Sequence, residues 1–317
     1  MKPNIELRQS RNFGEIINDS ILFVTQNWKP LFKAFFIFCG FFMAGNIIFS
    51  ILMQLKIVAI HKNDLSDYRR SGLSFLGIEY WMVLLFSFLN IISIITTSLC
   101  YVALYKEKGN QPPNVAEIWV YFKYYFWRVT YSVFMLGILL MFAIFICFLP
   151  GLFFVTIAGS MIGGFVSLFC VLLPMAYFVT VLTLLFPIMI MENGGLWYSF
   201  GKCFRLIKSR WWNTFGVVFV TAIVVYATYL LVALPFGVAS GGSIQFLAYN
   251  VTTYLIVIYS IVISLIQVLN VLPMVTAAIT YFSYVEEKES LGLWERINAL
   301  GEAAAATTNA DETPDEY

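Results

Sequence analysis

Residues 129–191 read VTYSVFMLGILLMFAIFICFLPGLFFVTIAGSMIGGFVSLFCVLLPMAYFVTVLTLLFPIMIM and contain no Asp, Glu, Lys, Arg or His. A helix rises about 1.5 Å per residue and crosses the hydrocarbon core of a bilayer in about 20 residues. The stretch is therefore too long for one crossing and long enough for two. Pro150-Gly151 and Gly159, Gly163 and Gly164 interrupt it, which predicts spans near 129–149 and 164–190. Working outward, the charge-free stretches 34–55 and 80–105 hold one span each. The stretch 211–285 holds another hairpin, broken near Pro235, Gly237, Gly241 and Gly242 into spans near 214–234 and 250–285. Six transmembrane helices follow, and helices are required because backbone polar groups in lipid must be satisfied within their own segment.

Composition agrees with this reading. Of 317 residues, 60% are hydrophobic and 12% charged, with a mean hydropathy of +0.82, whereas soluble domains carry about 25% charged residues. A soluble globular enzyme is excluded. The 19 Lys and Arg against 18 Asp and Glu leave a net charge of +1, with no basic run beyond short pairs, which argues against nucleic acid as a partner. All of the basic residues except Lys56, Lys62, Arg69 and Arg70 fall on one side of the predicted spans. The bias of Lys and Arg toward cytoplasmic loops then puts both termini in the cytoplasm. The first apolar run starts only after residue 33 and lacks a small-residue cleavage site, so it reads as a retained anchor. Cys39, Cys100, Cys147, Cys170 and Cys203 all lie in or beside apolar helices and read as packing residues, not disulfides.

The chain also repeats itself. Trp28-Lys29-Pro30-Leu31-Phe32, Trp127-Arg128-Val129-Thr130-Tyr131 and Trp211-Trp212-Asn213-Thr214-Phe215 open spans one, three and five with one pattern, a Trp followed four residues later by an aromatic. Each is preceded by an amphipathic stretch at helical spacing: Phe13, Ile16, Ile17, Ile21 and Val24; Val115, Ile118, Trp119, Phe122 and Phe126; Leu196, Phe200, Phe204 and Ile207. These stretches are too short and polar to span, and they read as helices lying in the inner interface. Leu173-Pro174-Met175 in span four matches Leu272-Pro273-Met274 in span six. The predicted architecture is an all-α membrane protein of three repeated units, each an interfacial helix plus a helical hairpin, at about 10–108, 112–191 and 194–288. Each unit crosses twice, so the copies share one orientation about a pseudo-threefold axis along the membrane normal. Residues 1–300 form a single integral membrane domain. Leu291, Trp294, Ile297 and Leu300 suit a short amphipathic helix, and 301–317, with Asp311, Glu312, Asp315 and Glu316, read as a disordered acidic tail.

Few residues carry chemistry. The spans hold no charge, and their polar residues are Asn, Gln, Ser and Thr. Interhelical hydrogen bonding explains such residues; a polar cavity for a neutral or lipid-like ligand is the sharper alternative, centred on Gln267 and Asn270 beside Pro273. His61 with Asp64 and Asp67 offers no ordered ligand pattern and reads as a solvated outer loop. There is no phosphate-binding loop, HExxH or GxSxG. No catalytic residue, cofactor or metal is expected. The third amphipathic stretch is the most basic, with Lys202, Arg205, Lys208 and Arg210 and no acid between Gly194 and Arg210. These four, with Trp28, Trp127 and Trp211, are the candidate contacts for lipid or a protein partner, with plain anchoring as the alternative.

Pro187-Ile188-Met189-Ile190-Met191-Glu192, then Ser199-Phe200, Leu206-Ile207-Lys208 and Trp211-Trp212-Asn213-Thr214-Phe215-Gly216, resembles the hallmark stretch of a six-span bacterial membrane family. That family is named after the membrane domain of glycerophosphoryl diester phosphodiesterase, and YciC-like inner-membrane proteins look similar. The resemblance implies a fold without an activity, since the namesake's chemistry belongs to a separate catalytic domain. The expected function is that of a non-enzymatic, multi-pass inner-membrane protein. It would act as a scaffold or accessory subunit of a membrane complex in envelope maintenance or protein export, with membrane lipids and other membrane proteins as partners. The alternative is a transporter or lipid-handling protein with a central or lateral polar cavity.

Overall fold

The computed structural model describes residues 5–62, 77–241 and 249–289. Among the described residues there are ten α-helices and no strand: α1 (Phe13–Gln26), α2 (Trp28–Lys62), α3 (Ile78–Glu107), α4 (Val115–Ala158), α5 (Ser160–Leu182), α6 (Leu185–Met191), α7 (Leu196–Ile207), α8 (Trp211–Gly241), α9 (Tyr249–Ile266) and α10 (Val271–Glu289). Six segments are long and apolar enough to cross a membrane: Trp28–Lys56, Ile78–Glu107, Val115–Pro150, Gly163–Met191, Trp211–Pro235 and Tyr254–Glu289. The fold is that of an all-helical, polytopic membrane protein. Asp64, Asp67, Arg69, Arg70, Gly242, the stretch 291–300, the tail 301–317 and the side chain of His61 lie outside the described residues.

Local chemistry sets the helix ends. Glu15 reaches back to the Asn12 N–H at 2.8 Å, and Glu117 reaches back to the Asn114 N–H at 2.9 Å. Each satisfies a donor that the first turn of a helix leaves open. Three breaks share one cause. Pro30, Pro187 and Pro273 are each the third residue of a helix, α2, α6 and α10. Proline has no N–H, and its ring collides with the carbonyl four residues back. The helical path accordingly fails at Asn27, at Thr183–Leu184 and at the 3-10 turn Gln267–Asn270. Spans four and six are thus each two helices, α5 with α6 and α9 with α10.

Other prolines behave differently from the expectation. Pro150 lies inside α4, Pro174 inside α5 and Pro235 inside α8. Membrane helices absorb such residues because neighbouring groups re-satisfy the freed carbonyl. The second hairpin turns at Gly159, one of the expected interruptions, with φ +83°, a left-handed conformation that glycine adopts without steric cost. In contrast, α8 continues through Gly237 to Gly241. Pro187 and Pro273 are alike in being the third residue of a helix, whereas Pro174 is not.

The amphipathic stretches also diverge. The first and third are separate helices, α1 and α7. The second is not: Val115 to Phe126 form the opening turns of α4, a single helix of 44 residues. Asn27 interrupts the first junction and a Lys208-Ser209-Arg210 turn the third, whereas no Gly, Pro or Asn lies between Asn114 and Gly137 to stop α4.

The spans pack in chain order around a closed ring, the last meeting the first through α9 and α2. Inside the ring, α3, α6 and α10 meet one another. Ile92 to Tyr105, Ile188 to Ile190 and Val275 to Val285 are continuously buried. We call this end, which also gathers α1 and α7, the base. Phe23 of α1 seals it edge-on against Tyr105, with ring centroids 4.9 Å apart, a geometry that contributes about 0.5–1.5 kcal/mol beyond burial.

Candidate functional site

A partly open cavity of about 600 Å³ lies between α4, α5, α8 and α10, inside the roughly 300–1,000 Å³ range of ligand pockets. The proline breaks build it. Thr183 and Leu184 line it from the kink in span four, and Asn270 and Pro273 from the kink in span six. Its wall also carries several threonines, but their hydroxyls are engaged within their own helices. Thr183 donates to the Val179 carbonyl at 2.9 Å, Thr221 to Val217 at 2.8 Å, Thr276 to Leu272 at 2.9 Å and Thr280 to Thr276 at 2.8 Å. Such back-bonding turns a threonine's donor away from any ligand. The expected polar cavity is therefore mainly apolar. Gly137 faces open space, since a Cβ added there meets nothing within 4 Å. Farther along α8 a second hollow, of about 670 Å³, is lined by Ala227, Leu230, Leu231, Leu234 and Pro235.

The two amides expected to line one site separate. Asn270 lines the cavity, donating to the Tyr229 hydroxyl and to the Gln267 carbonyl, both at 3.1 Å. Gln267 instead accepts from the Asn90 side chain of α3, tying span six to span two. A 3-10 turn places neighbouring side chains differently from the α-helix that spacing alone assumes.

The largest departure concerns the basic helix. Lys202 is 7% exposed. Its ammonium lies 2.7 Å from Glu192 and 2.9 Å from Glu289. Glu192 also accepts from Tyr281 at 2.6 Å and Tyr198 at 2.8 Å. Burial pushes the Glu192 carboxyl up, but the Lys202 bond, the tyrosine bonds and the Lys202 charge outweigh it and leave the group below its ordinary value. Burial likewise pulls Lys202 down, and the two carboxylates overcome this and hold it above its ordinary value. The cluster joins the end of α6, the middle of α7 and the end of α10. Accordingly α7 turns Ser199, Lys202, Cys203, Leu206 and Ile207 inward; of the face that hydrophobic spacing predicts, Ile207 is buried and Leu196, Phe200 and Phe204 are half-buried against the core. Burial pushes the Cys203 thiol up to about 12, consistent with an inert packing residue.

The other expected contacts are mixed. Arg210 pairs with Glu287 at 2.6 Å, while Arg205 and Lys208 are exposed. Trp28 is exposed and Trp127 is 74% exposed, as interfacial tryptophans are. Trp211 is not: it stacks on Phe215, with centroids 5.3 Å apart, and on Tyr177 of α5 at 5.9 Å. Its neighbour Trp212 is the outward ring.

Sequence reasoning missed the partners of the basic helix because they lie outside it. Glu192 is the first charge after the stretch 129–191, and Glu286, Glu287 and Glu289 follow the stretch 211–285. Acids at the ends of two returning spans were the available signal. It also missed Arg11, which is buried and donates to Asp19 at 2.7 Å and to the Leu7 carbonyl at 2.8 Å. The Arg11 N–H donates to Ser283 of α10 at 2.9 Å, so residues preceding α1 are folded onto the last helix. No protein-family model, no curated protein and no solved structure matches this chain.

Proposed function

We propose that this chain is a non-enzymatic lipid-handling protein of the bacterial inner membrane, holding an apolar lipid chain in the cavity between α4, α5, α8 and α10. One observation carries the reading: a cavity between apolar spans whose threonine hydroxyls donate to carbonyls of their own helices, so that its wall is mainly carbon. An acyl chain matches such a wall, whereas a sugar or an ion requires polar partners in return. The second hollow along α8 is also apolar. Cytoplasmic termini are supported by the basic residues of the base. A three-unit organisation is supported by the meeting of the three returning spans there and by the like placement of Pro187 and Pro273.

The test is to fill the cavity. Gly137→Phe adds a ring where nothing obstructs it. In detergent-purified protein we expect native mass spectrometry to show loss of retained lipid, with unchanged monodispersity. Equal lipid retention by both proteins would refute the reading. A scaffold or accessory role is a second reading, favoured by the exposure of Arg205 and Lys208 beside the paired Lys202 and Arg210. Reversing both charges should then release copurifying proteins under mild detergent, and an unchanged set of partners counts against it.

A further inference from the structure

A third cavity, of about 450 Å³, lies at the base between the end of α3, the start of α4 and the end of α6. It shares no lining residue with the cavity described above, so the two stand or fall separately. Its wall carries both an acid with aromatic rings and hydrogen-bond donors. Glu107 contributes a carboxylate that accepts from the Tyr121 hydroxyl at 2.6 Å. Tyr124 and Tyr125 stand at 90° to one another with centroids 4.9 Å apart, and Tyr121 lies 6.3 Å from Tyr125. Three electron-rich rings beside an acid attract an ammonium, both through the ring faces and through direct charge.

The wall also carries donors, Lys106 next to Glu107 on α3 and Asn193, whose Oδ1 lies 3.5 Å from the Tyr124 hydroxyl. Asn193 lines the cavity in a left-handed conformation, φ +51°, which asparagine tolerates better than most residues. Arg128 fixes it, donating to Asn193 Oδ1 at 2.6 Å and to its backbone carbonyl at 3.1 Å. With Oδ1 committed to the guanidinium, the Asn193 amide nitrogen is the side-chain group left to serve a ligand. Lys106 adds a positive charge to the wall.

We infer that this cavity binds a phosphoethanolamine group, its ammonium held by Glu107 and the tyrosines and its phosphate by Asn193 and Lys106. The carboxylate favours a primary ammonium, which donates hydrogen bonds, over a quaternary one, which does not. The group can belong to a membrane lipid or to a soluble molecule, and the experiment separates the two sources.

Full-length protein is placed in nanodiscs of equal phosphatidylethanolamine and phosphatidylcholine, and the retained lipids are counted by native mass spectrometry. The expected enrichment of the ethanolamine lipid is about tenfold. Glu107→Gln and Tyr124→Ala should each bring the ratio close to one, and Tyr124→Phe, which keeps the ring, should retain it. Glu79→Gln, an acid on another part of the bundle paired to Lys56, should leave it unchanged. Both altered positions in the cavity are exposed, so loss of fold does not confuse the result, and gel filtration confirms it. Equal retention of the two lipids together with no Glu107-dependent melting shift from soluble phosphoethanolamine overturns the inference, as does enrichment that survives both substitutions. In a parallel arm, soluble phosphoethanolamine is added to protein in phosphatidylcholine discs. A Glu107-dependent rise in melting temperature without lipid enrichment assigns the same site to a soluble ligand.

Discussion

The base and the far half of the bundle are built on opposite rules. At the base, α3 and α10 bury Ser93, Thr96, Thr97, Ser98, Ala277, Ala278, Thr280 and Ser283. In the far half, Met141, Phe142, Phe145 and Ile146 of α4 and Leu168, Phe169, Leu172 and Leu173 of α5 are exposed. In water this arrangement would be inside out. In lipid, apolar side chains gain nothing by leaving the solvent, and helices associate through close packing of small residues and hydrogen bonds. Outward apolarity therefore reports which segments touch lipid, while the base holds itself together by packing small and hydroxyl-bearing residues among buried apolar ones such as Leu99, Tyr101 and Ile279. The buried ion cluster belongs to the base.

The sharpest break of this contrast is Lys202→Met. It leaves Glu192 and Glu289 facing each other without their cation, and removing one member of a buried pair costs about 3–5 kcal/mol. Thermal unfolding in detergent should show it as the largest loss among single substitutions at the base. Acid should reproduce part of that effect. Glu192 sits below its ordinary 4.5 when folded, so its stabilisation is complete above that value and is lost as pH falls through the lowered one. Lys202 sits above its ordinary 10.5, so its stabilisation is complete below that value and is lost as pH rises through the raised one. A stability plateau between these limits follows, and melting curves against pH should show a shallower acid limb in Lys202→Met. Next in size, Ala278→Leu forces methylenes into the meeting of α10 and α3 and should cost about 1–3 kcal/mol by unfolding midpoint. The smallest effect is expected in the far half. Phe145→Ala removes a ring that faces lipid and should stay within about 0.5 kcal/mol by the same measurement. A larger loss there would mean that the far half packs against something, and the contrast would fail.

Much of the fold was legible. Charge-free runs and an α-helix's rise locate the six spans, and the amphipathic stretches before spans one and five emerge as α1 and α7 at Phe13–Gln26 and Leu196–Ile207. Breaks were less legible, because proline acts through its neighbours. Pro150 and Pro235 sit inside helices, while Pro187 and Pro273 follow interruptions, and nothing local to the four residues distinguishes them. The site was least legible. The basic charge of α7 is visible from residues 202–210, but its compensation comes from Glu192 and, far along the chain, from Glu287 and Glu289. The cavity is a gap between helices whose place depends on two kinks and on Gly137 being left uncovered.

The contacts that close the base converge on the last two turns of α10. Ser283 receives the Arg11 N–H, Glu287 pairs with Arg210, Glu289 completes the Lys202 pair, and Lys288 donates to the Arg205 and Leu206 carbonyls at 2.6 and 2.9 Å. During synthesis these residues leave the ribosome after every other described helix. Until then Lys202 has only Glu192, and the Arg11 N–H lacks its Ser283 acceptor. The two carboxyl-terminal turns of α10 therefore act as a latch: loss of the residues from Ser283 onward removes all of these contacts at once.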